Sequence, residues 1–206
     1  MSPTIEFIFD FGSANAYLAY RALPSILART EAKLIINPCL LGGIFKATGN
    51  QAPTLAFAGI KGKLEYEMLE IRRFVARHRL DKFRMNLHFP VNTLMLMRGL
   101  IAARDAGVEA AYLEMGLQGM WEEGLKLDDP EVLARRIDSA GLDSKSLLAA
   151  AQTDRVKLKL ADNTAAAVAR GVFGIPTFFV GDEMFFGKDR LTQVEEAVEA
   201  RAQAAS

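Results

Sequence analysis

The chain has 206 residues, half of them hydrophobic, which is enough for one domain or two and for a sizeable core. Its 25 Lys and Arg residues balance 25 Asp and Glu with no basic stripe, which argues against nucleic acid or an anionic membrane as partner. No apolar run nears the roughly 18 residues of a membrane span, no signal-peptide pattern opens the chain, and a single cysteine, Cys39, fits a reducing cytoplasm.

The first expected element is a strand over residues 4–11, rich in β-branched and aromatic side chains and ended by Gly12. Ser13 then stands at the N-cap of a helix over residues 14–29. The N–H groups and partial positive charge at such a terminus suit an anion. Pro24 inside this helix removes a hydrogen bond and predicts a kink or a split. Residues 33–38 read as a second strand, parallel to the first. From residue 41 to about 168 helical periodicity dominates. Residues 64–79 offer Met68, Ile71, Phe74, Val75 and His78 as a buried stripe. Pro90 precedes a helix over 94–106, with Asn92 and Thr93 as caps and Gly107 as its stop. Residues 109–123 follow, carrying Trp121. Asp129 and Pro130 open the next helix, Gly141 ends it, Asp143 and Ser144 cap another, and 152–170 form a long alanine-rich one. A strand then begins on Pro176, where proline forfeits no ladder bond. A turn at Gly181-Asp182, a strand over 183–186 and a helix over 189–202 complete the chain, with residues 199–206 expected to fray. The Ile175-Pro176 bond, in a tight turn after Gly174, is expected to be cis. That would aim the N–H and C=O of Ile175 at an extended, peptide-like ligand.

Few residues offer chemistry. Ser13 is a helix cap by residue type, with a hydroxyl that a ligand could also use. One cysteine excludes dithiol–disulfide exchange within the chain. Gly42-Gly43 lacks the Lys-Ser/Thr of a phosphate loop. His78 and His88 have no partner at ligand spacing, so no metal is expected. Leu94 to Met97 read as core or pocket lining. Asn50 is a turn residue, Lys61 and Lys63 are solvated charges and Asp189 is an N-cap, unless a ligand claims them.

Two segments carry a family resemblance: FDFGSANAYLA over residues 9–19 and GVFGIPTFFVGDEMFFGKDRL over 171–191. Together they resemble the DsbA-like thioredoxin-fold branch that holds kappa-class glutathione transferases and 2-hydroxychromene-2-carboxylate isomerases, and the isomerases most of all. Where a redox member has Cys-x-x-Cys, this chain has Ser13-Ala14-Asn15-Ala16. The resemblance spans the chain and implies an α/β, thioredoxin-like fold interrupted by an all-helical insertion domain, with residues 1–40 and 169–206 forming the first and 41–168 the second. It implies glutathione as cofactor, activated by Ser13 and held by Asn50, Lys61, Ile175, Pro176 and Asp189, the last pairing with the γ-glutamyl ammonium. Phe11, His88 and Asn92 would line the substrate pocket. Lys188 departs from a family serine, and Ala14 from a frequent proline. The implied reaction interconverts 2-hydroxychromene-2-carboxylate and trans-o-hydroxybenzylidenepyruvate in aromatic catabolism. The thiolate adds to a conjugated C=C, the skeleton rotates, and elimination returns the thiol. A kappa-like transferase and a non-catalytic thioredoxin-like binding protein are the alternatives. A homodimer acting on a small aromatic keto acid is the expected state.

Overall fold

Period-2 alternation puts Ile5, Phe7 and Phe9 on one face of β1 (Thr4–Phe9). Ile8, on the opposite face, is buried as well, as befits a central strand covered on both sides. The computed structural model describes residues 3–204. β1 pairs in parallel with β2 (Lys33–Pro38), from Thr4 opposite Lys33 to Phe9 opposite Pro38, and antiparallel with β3 (Thr177–Val180). β3 pairs antiparallel with β4 (Glu183–Phe186), so the sheet order is β2-β1-β3-β4. α1 (Ala14–Thr30) links β1 to β2, and a 3-10 turn (Lys188–Arg190) leads from β4 into α10 (Leu191–Ala204). Every element between β2 and β3 is helical: α2 (Leu41–Thr48), α3 (Pro53–Ala56), α4 (Lys63–His78), α5 (Leu94–Asp105), α6 (Glu109–Trp121), α7 (Pro130–Ser139), α8 (Ser144–Ala151) and α9 (Asp154–Ala169). The expected thioredoxin-like α/β core with a helical insertion is the architecture found. Among the described residues no helix is long and apolar enough to cross a membrane.

A run of aromatic rings ties the sheet to the insertion. Phe178 lies 4.7 Å from Phe7, Phe7 5.5 Å from Phe9, Phe9 4.9 Å from Phe11, and Phe11 6.4 Å from Tyr112 of α6. All five are fully buried, and each such ring stabilises the fold by roughly 1.5–3 kcal/mol. Polar bonds reinforce the seam. Trp121 Nε1 donates to the Phe11 carbonyl at 2.8 Å. Arg21 of α1 bridges Glu114 and Glu122, while the Tyr17 hydroxyl donates to Glu122 at 3.0 Å.

Several expectations need correcting. β1 ends at Phe9, not residue 11, because Asp10 turns the chain. α1 neither splits nor stops at Pro24, which is exposed, so the bond it cannot make lies on the solvated side. On α4 only Phe74 is buried; Met68, Ile71, Val75 and His78 are half-buried. Gln152 closes α8 instead of opening α9. α10 is helical to Ala204, and residues 205–206 of the stretch expected to fray lie outside those described.

Candidate active site

The turn from β1 into α1 is built on a buried carboxylate. Asp10 Oδ1 accepts from the Gly12 N–H (2.8 Å) and the Thr93 hydroxyl (2.6 Å), and Oδ2 accepts from the Leu41 N–H (2.7 Å). Burial pushes this carboxyl above the ordinary aspartate range, against the pull of all three donors. The backbone carbonyl of Asp10 accepts from the Ser13 N–H at 3.2 Å. One residue thus fixes the end of β1, the start of α2 and the start of α5, and suspends Ser13 from that junction.

Ser13 is buried, in extended conformation, at the N-cap of α1. Its hydroxyl oxygen accepts from the Ala16 N–H at 3.2 Å, and its proton goes to the Ile175 carbonyl at 2.9 Å. The Ile175-Pro176 bond is cis, and so is Phe89-Pro90, which the sequence reading did not anticipate. Just upstream, the Phe173 carbonyl accepts from Asn50 Nδ2 at 2.8 Å; just downstream, the Pro176 carbonyl accepts from the Gly187 N–H at 2.9 Å. Hydrogen bonds therefore gather Ser13, Asn50, Ile175 and Pro176 in one place, with Asp189 two residues past Gly187.

Two features distinguish this place, an exposed aromatic pair and an uncompensated helix terminus. Phe173 and Phe186 pack at 4.6 Å yet stay 39 % and 43 % exposed. A Cβ on Gly174 would come within 2.8 Å of the Phe186 ring, so only glycine lets that ring cover the backbone here. The first turn of α1 carries no acidic residue, which leaves its partial positive charge for an anion. In the same turn Asn15 Oδ1 is buried without a hydrogen-bond partner among the described residues, and such an atom is costly unless something donates to it.

The other expected site residues fare differently. Phe11, expected in the substrate pocket, is instead fully buried: its ring packs against Gly116, where a Cβ would approach to 2.5 Å. His88 is exposed and held by its backbone N–H on Asn86 Oδ1 at 2.8 Å. Asn92 is exposed and accepts from the Leu94 N–H at 3.0 Å, capping α5, whereas the Thr93 hydroxyl serves Asp10. Lys61 is exposed, one residue before Gly62 at the start of α4. Lys63 is not a free solvated charge: it pairs with Glu67 at 2.8 Å and sits over the Phe57 ring. Asp189 caps no helix, since α10 starts at Leu191 and the Lys188 ammonium takes both carboxylate oxygens, at 2.9 and 3.0 Å. Cys39 is buried, and its thiol is pushed up to about 12, chiefly by desolvation.

Asp10, Thr93 and Asn15 were missed as site residues. Asp10 left a trace: an acid between two phenylalanines at the end of a buried strand must find partners.

A family model described as the DSBA-like thioredoxin domain matches residues 4–199. A 2-hydroxychromene-2-carboxylate isomerase from Pseudomonas putida is 28 % identical over 196 residues, covering 94 % of this chain and 93 % of that protein. The human glutathione S-transferase kappa 1 is 26 % identical over 207 residues, covering 91 % and 87 %. A solved structure of a 2-hydroxychromene-2-carboxylate isomerase superposes with a TM-score of 0.82 at 26 % identity, covering 98 % of this chain and 97 % of the other.

Proposed function

The chain belongs to the DSBA-like thioredoxin domain family, within its 2-hydroxychromene-2-carboxylate isomerases, and on that premise we propose a glutathione-dependent isomerase of an aromatic keto acid. The carrying observation is a polar catalytic turn with no thiol of its own. Ser13 occupies the N-terminus of α1 beside Ile175, while Cys39 is buried and protonated. On this reading the reacting thiol comes from a bound molecule.

The residues present fit glutathione. The orphaned Asn15 Oδ1 suits a ligand N–H, the Ser13 hydroxyl can exchange its Ile175 acceptor for a thiolate, and the α1 terminus favours that charge. Ile175, Pro176 and Asn50 would hold the peptide backbone, with Lys61 and Asp189 at its ends. When bound, glutathione supplies a thiolate able to add reversibly to a conjugated double bond. Ser13 stabilises the sulfur's negative charge, and Asp10 keeps Ser13 in position. Phe173 and Phe186 offer an apolar face to an aromatic acid, and His88 and Asn92 would supply polar groups to that acid. We further propose a homodimer in the cytoplasm, where glutathione is abundant.

Calorimetry with reduced glutathione, followed by spectrophotometric interconversion of 2-hydroxychromene-2-carboxylate and trans-o-hydroxybenzylidenepyruvate, tests the reading. Saturable binding and strictly thiol-dependent turnover are expected. Absence of binding at millimolar glutathione would overturn it. Likeness to kappa-class transferases keeps a second reading in view, and a conjugate accumulating in the mass spectrum of the reaction would favour that one. Light scattering giving a monomer mass at micromolar protein would remove the dimer.

A further inference from the structure

Helix α4 packs chiefly against α1, and Phe74 is its one buried residue. Leu64, Met68, Ile71 and Val75 nevertheless recur at spacings of four, three and four, the stripe by which one helix packs on another. Ile71 and Val75, towards the C-terminal end, lean on the core, whereas Leu64 and Met68 do not. With Glu65 and Arg72 these two line an open groove of about 330 Å³. Leu55 and Ile60, just ahead of the helix, and Tyr66, near its start, are 68, 55 and 51 % exposed. Apolar surface gathered in this way marks an interaction site.

The charges beside the groove indicate what covers it. After Lys63 the signs along α4 segregate, with Glu65, Glu67 and Glu70 in the N-terminal half and Arg72, Arg73 and Arg77 in the C-terminal half. Lys63 takes Glu67, and Arg73 takes Glu70. Glu65 and Arg72, two turns apart on one edge of the stripe, have no ion-pair partner among the described residues. A partner of a single sign would be attracted by one of them and repelled by the other. A second α4, antiparallel about a two-fold axis at Met68, satisfies both. Each residue stands about 5 Å from that axis along the helix, and the symmetry keeps them on the same edge. Glu65 of either copy then faces Arg72 of the other.

We propose that α4 is the face by which two copies of this chain associate, antiparallel across a two-fold axis near Met68. Leu64 and Met68 of each copy meet those of the other, and two Glu65–Arg72 ion pairs fix the orientation. Exposed ion pairs contribute little affinity but select register and partner, so the apolar contact supplies the affinity and the charges supply the geometry. This assignment rests on the homodimer of the functional reading, to which it gives a face, and not on the glutathione chemistry.

Sedimentation velocity over a micromolar concentration series, with far-ultraviolet circular dichroism to confirm folding, tests the pairing. The samples are wild type, Glu65→Arg, Arg72→Glu and the variant carrying both changes. Both residues are exposed, so the substitutions leave the core untouched. Each single variant should dimerise at least tenfold more weakly, because like charges then face each other twice. The double variant should return to within about threefold of wild type, since the pairs are restored with their signs exchanged. An equimolar mixture of the two single variants should form a dimer, each supplying the charge that the other lacks. Met68→Cys should cross-link to its own copy under mild oxidation, whereas wild type, whose Cys39 is buried, should not. Single variants that dimerise as wild type does, or a mixture that stays monomeric, would overturn the proposal. A monomeric wild type would remove this face together with the dimer, while glutathione binding and turnover, measured separately, would decide the isomerase reading.

Discussion

The Ser13 hydroxyl donates its single proton to the Ile175 carbonyl across 2.9 Å, linking the start of α1 to the loop before β3. Because that proton can serve one acceptor well, a bound thiolate and Ile175 compete for it. The same oxygen also caps α1 through the Ala16 N–H, so removing it has two separable effects.

Ser13→Ala should lower stability by about 1 kcal/mol through the lost cap. It should lower turnover by about ten- to a hundredfold, the worth of a hydrogen bond to a charged group at roughly 1.5–3 kcal/mol. Glutathione affinity should stay within threefold. Thermal melts and steady-state kinetics on one preparation check this; a lowered melting point with an undiminished rate would reduce Ser13 to a cap.

Asp10→Asn replaces an acceptor with an amide N–H₂ that faces a backbone donor. It should destabilise the fold by about 1–3 kcal/mol, read as a lower urea midpoint, and depress turnover because Ser13 hangs from Asp10. The wild-type pH dependence carries a sign. Burial raises the Asp10 pKa, so the folded chain binds this proton more tightly than the unfolded chain does. Its contribution is full below the ordinary value of about 3.9 and is lost as pH rises through the raised one. The stability difference between wild type and Asp10→Asn should therefore shrink with rising pH over that window; a growing difference would contradict the assignment.

Gly116→Ala should destabilise by about 1–3 kcal/mol by overpacking, although alanine favours a helix by about 1 kcal/mol over glycine. The added Cβ would sit 2.5 Å from Phe11 Cε1, inside a ring stack with no slack. Since Phe11 precedes Gly12-Ser13, turnover should fall too. Denaturant curves and kinetics test this, and a stabilised variant would show the ring to be free to move.

Cys39 should resist thiol reagents in the native protein at pH 8, because burial raises its pKa to about 12 and the thiolate is the reactive form. Labelling should appear only on denaturation, and Cys39→Ala should keep thiol-dependent turnover. A variant that loses activity while remaining folded would place Cys39 in the chemistry.

Local patterns carried most of the element order. Proline at N1 and aspartate caps are short-range signals, and Asp129 and Asp143 cap α7 and α8 as expected. The same logic misled at Asp189, where an adjacent buried lysine claims the carboxylate; at Phe11 it was the resemblance that pointed to a pocket, and a helix a hundred residues away buries the ring. The Asp10 junction was illegible for the same reason: its partners Leu41 and Thr93 are 31 and 83 residues distant. Asn50, by contrast, lies by the Ile175 loop because its side chain reaches the Phe173 carbonyl, a bond no local pattern announces.

That junction has a kinetic consequence. Residues 10, 41 and 93 must all be in place before the carboxylate is satisfied, and closing such long loops is paid for in chain entropy before any contact is gained. A nascent or refolding chain will therefore acquire its helices, which rest on local contacts, ahead of a competent serine turn. Recovery of activity should lag behind recovery of far-ultraviolet ellipticity.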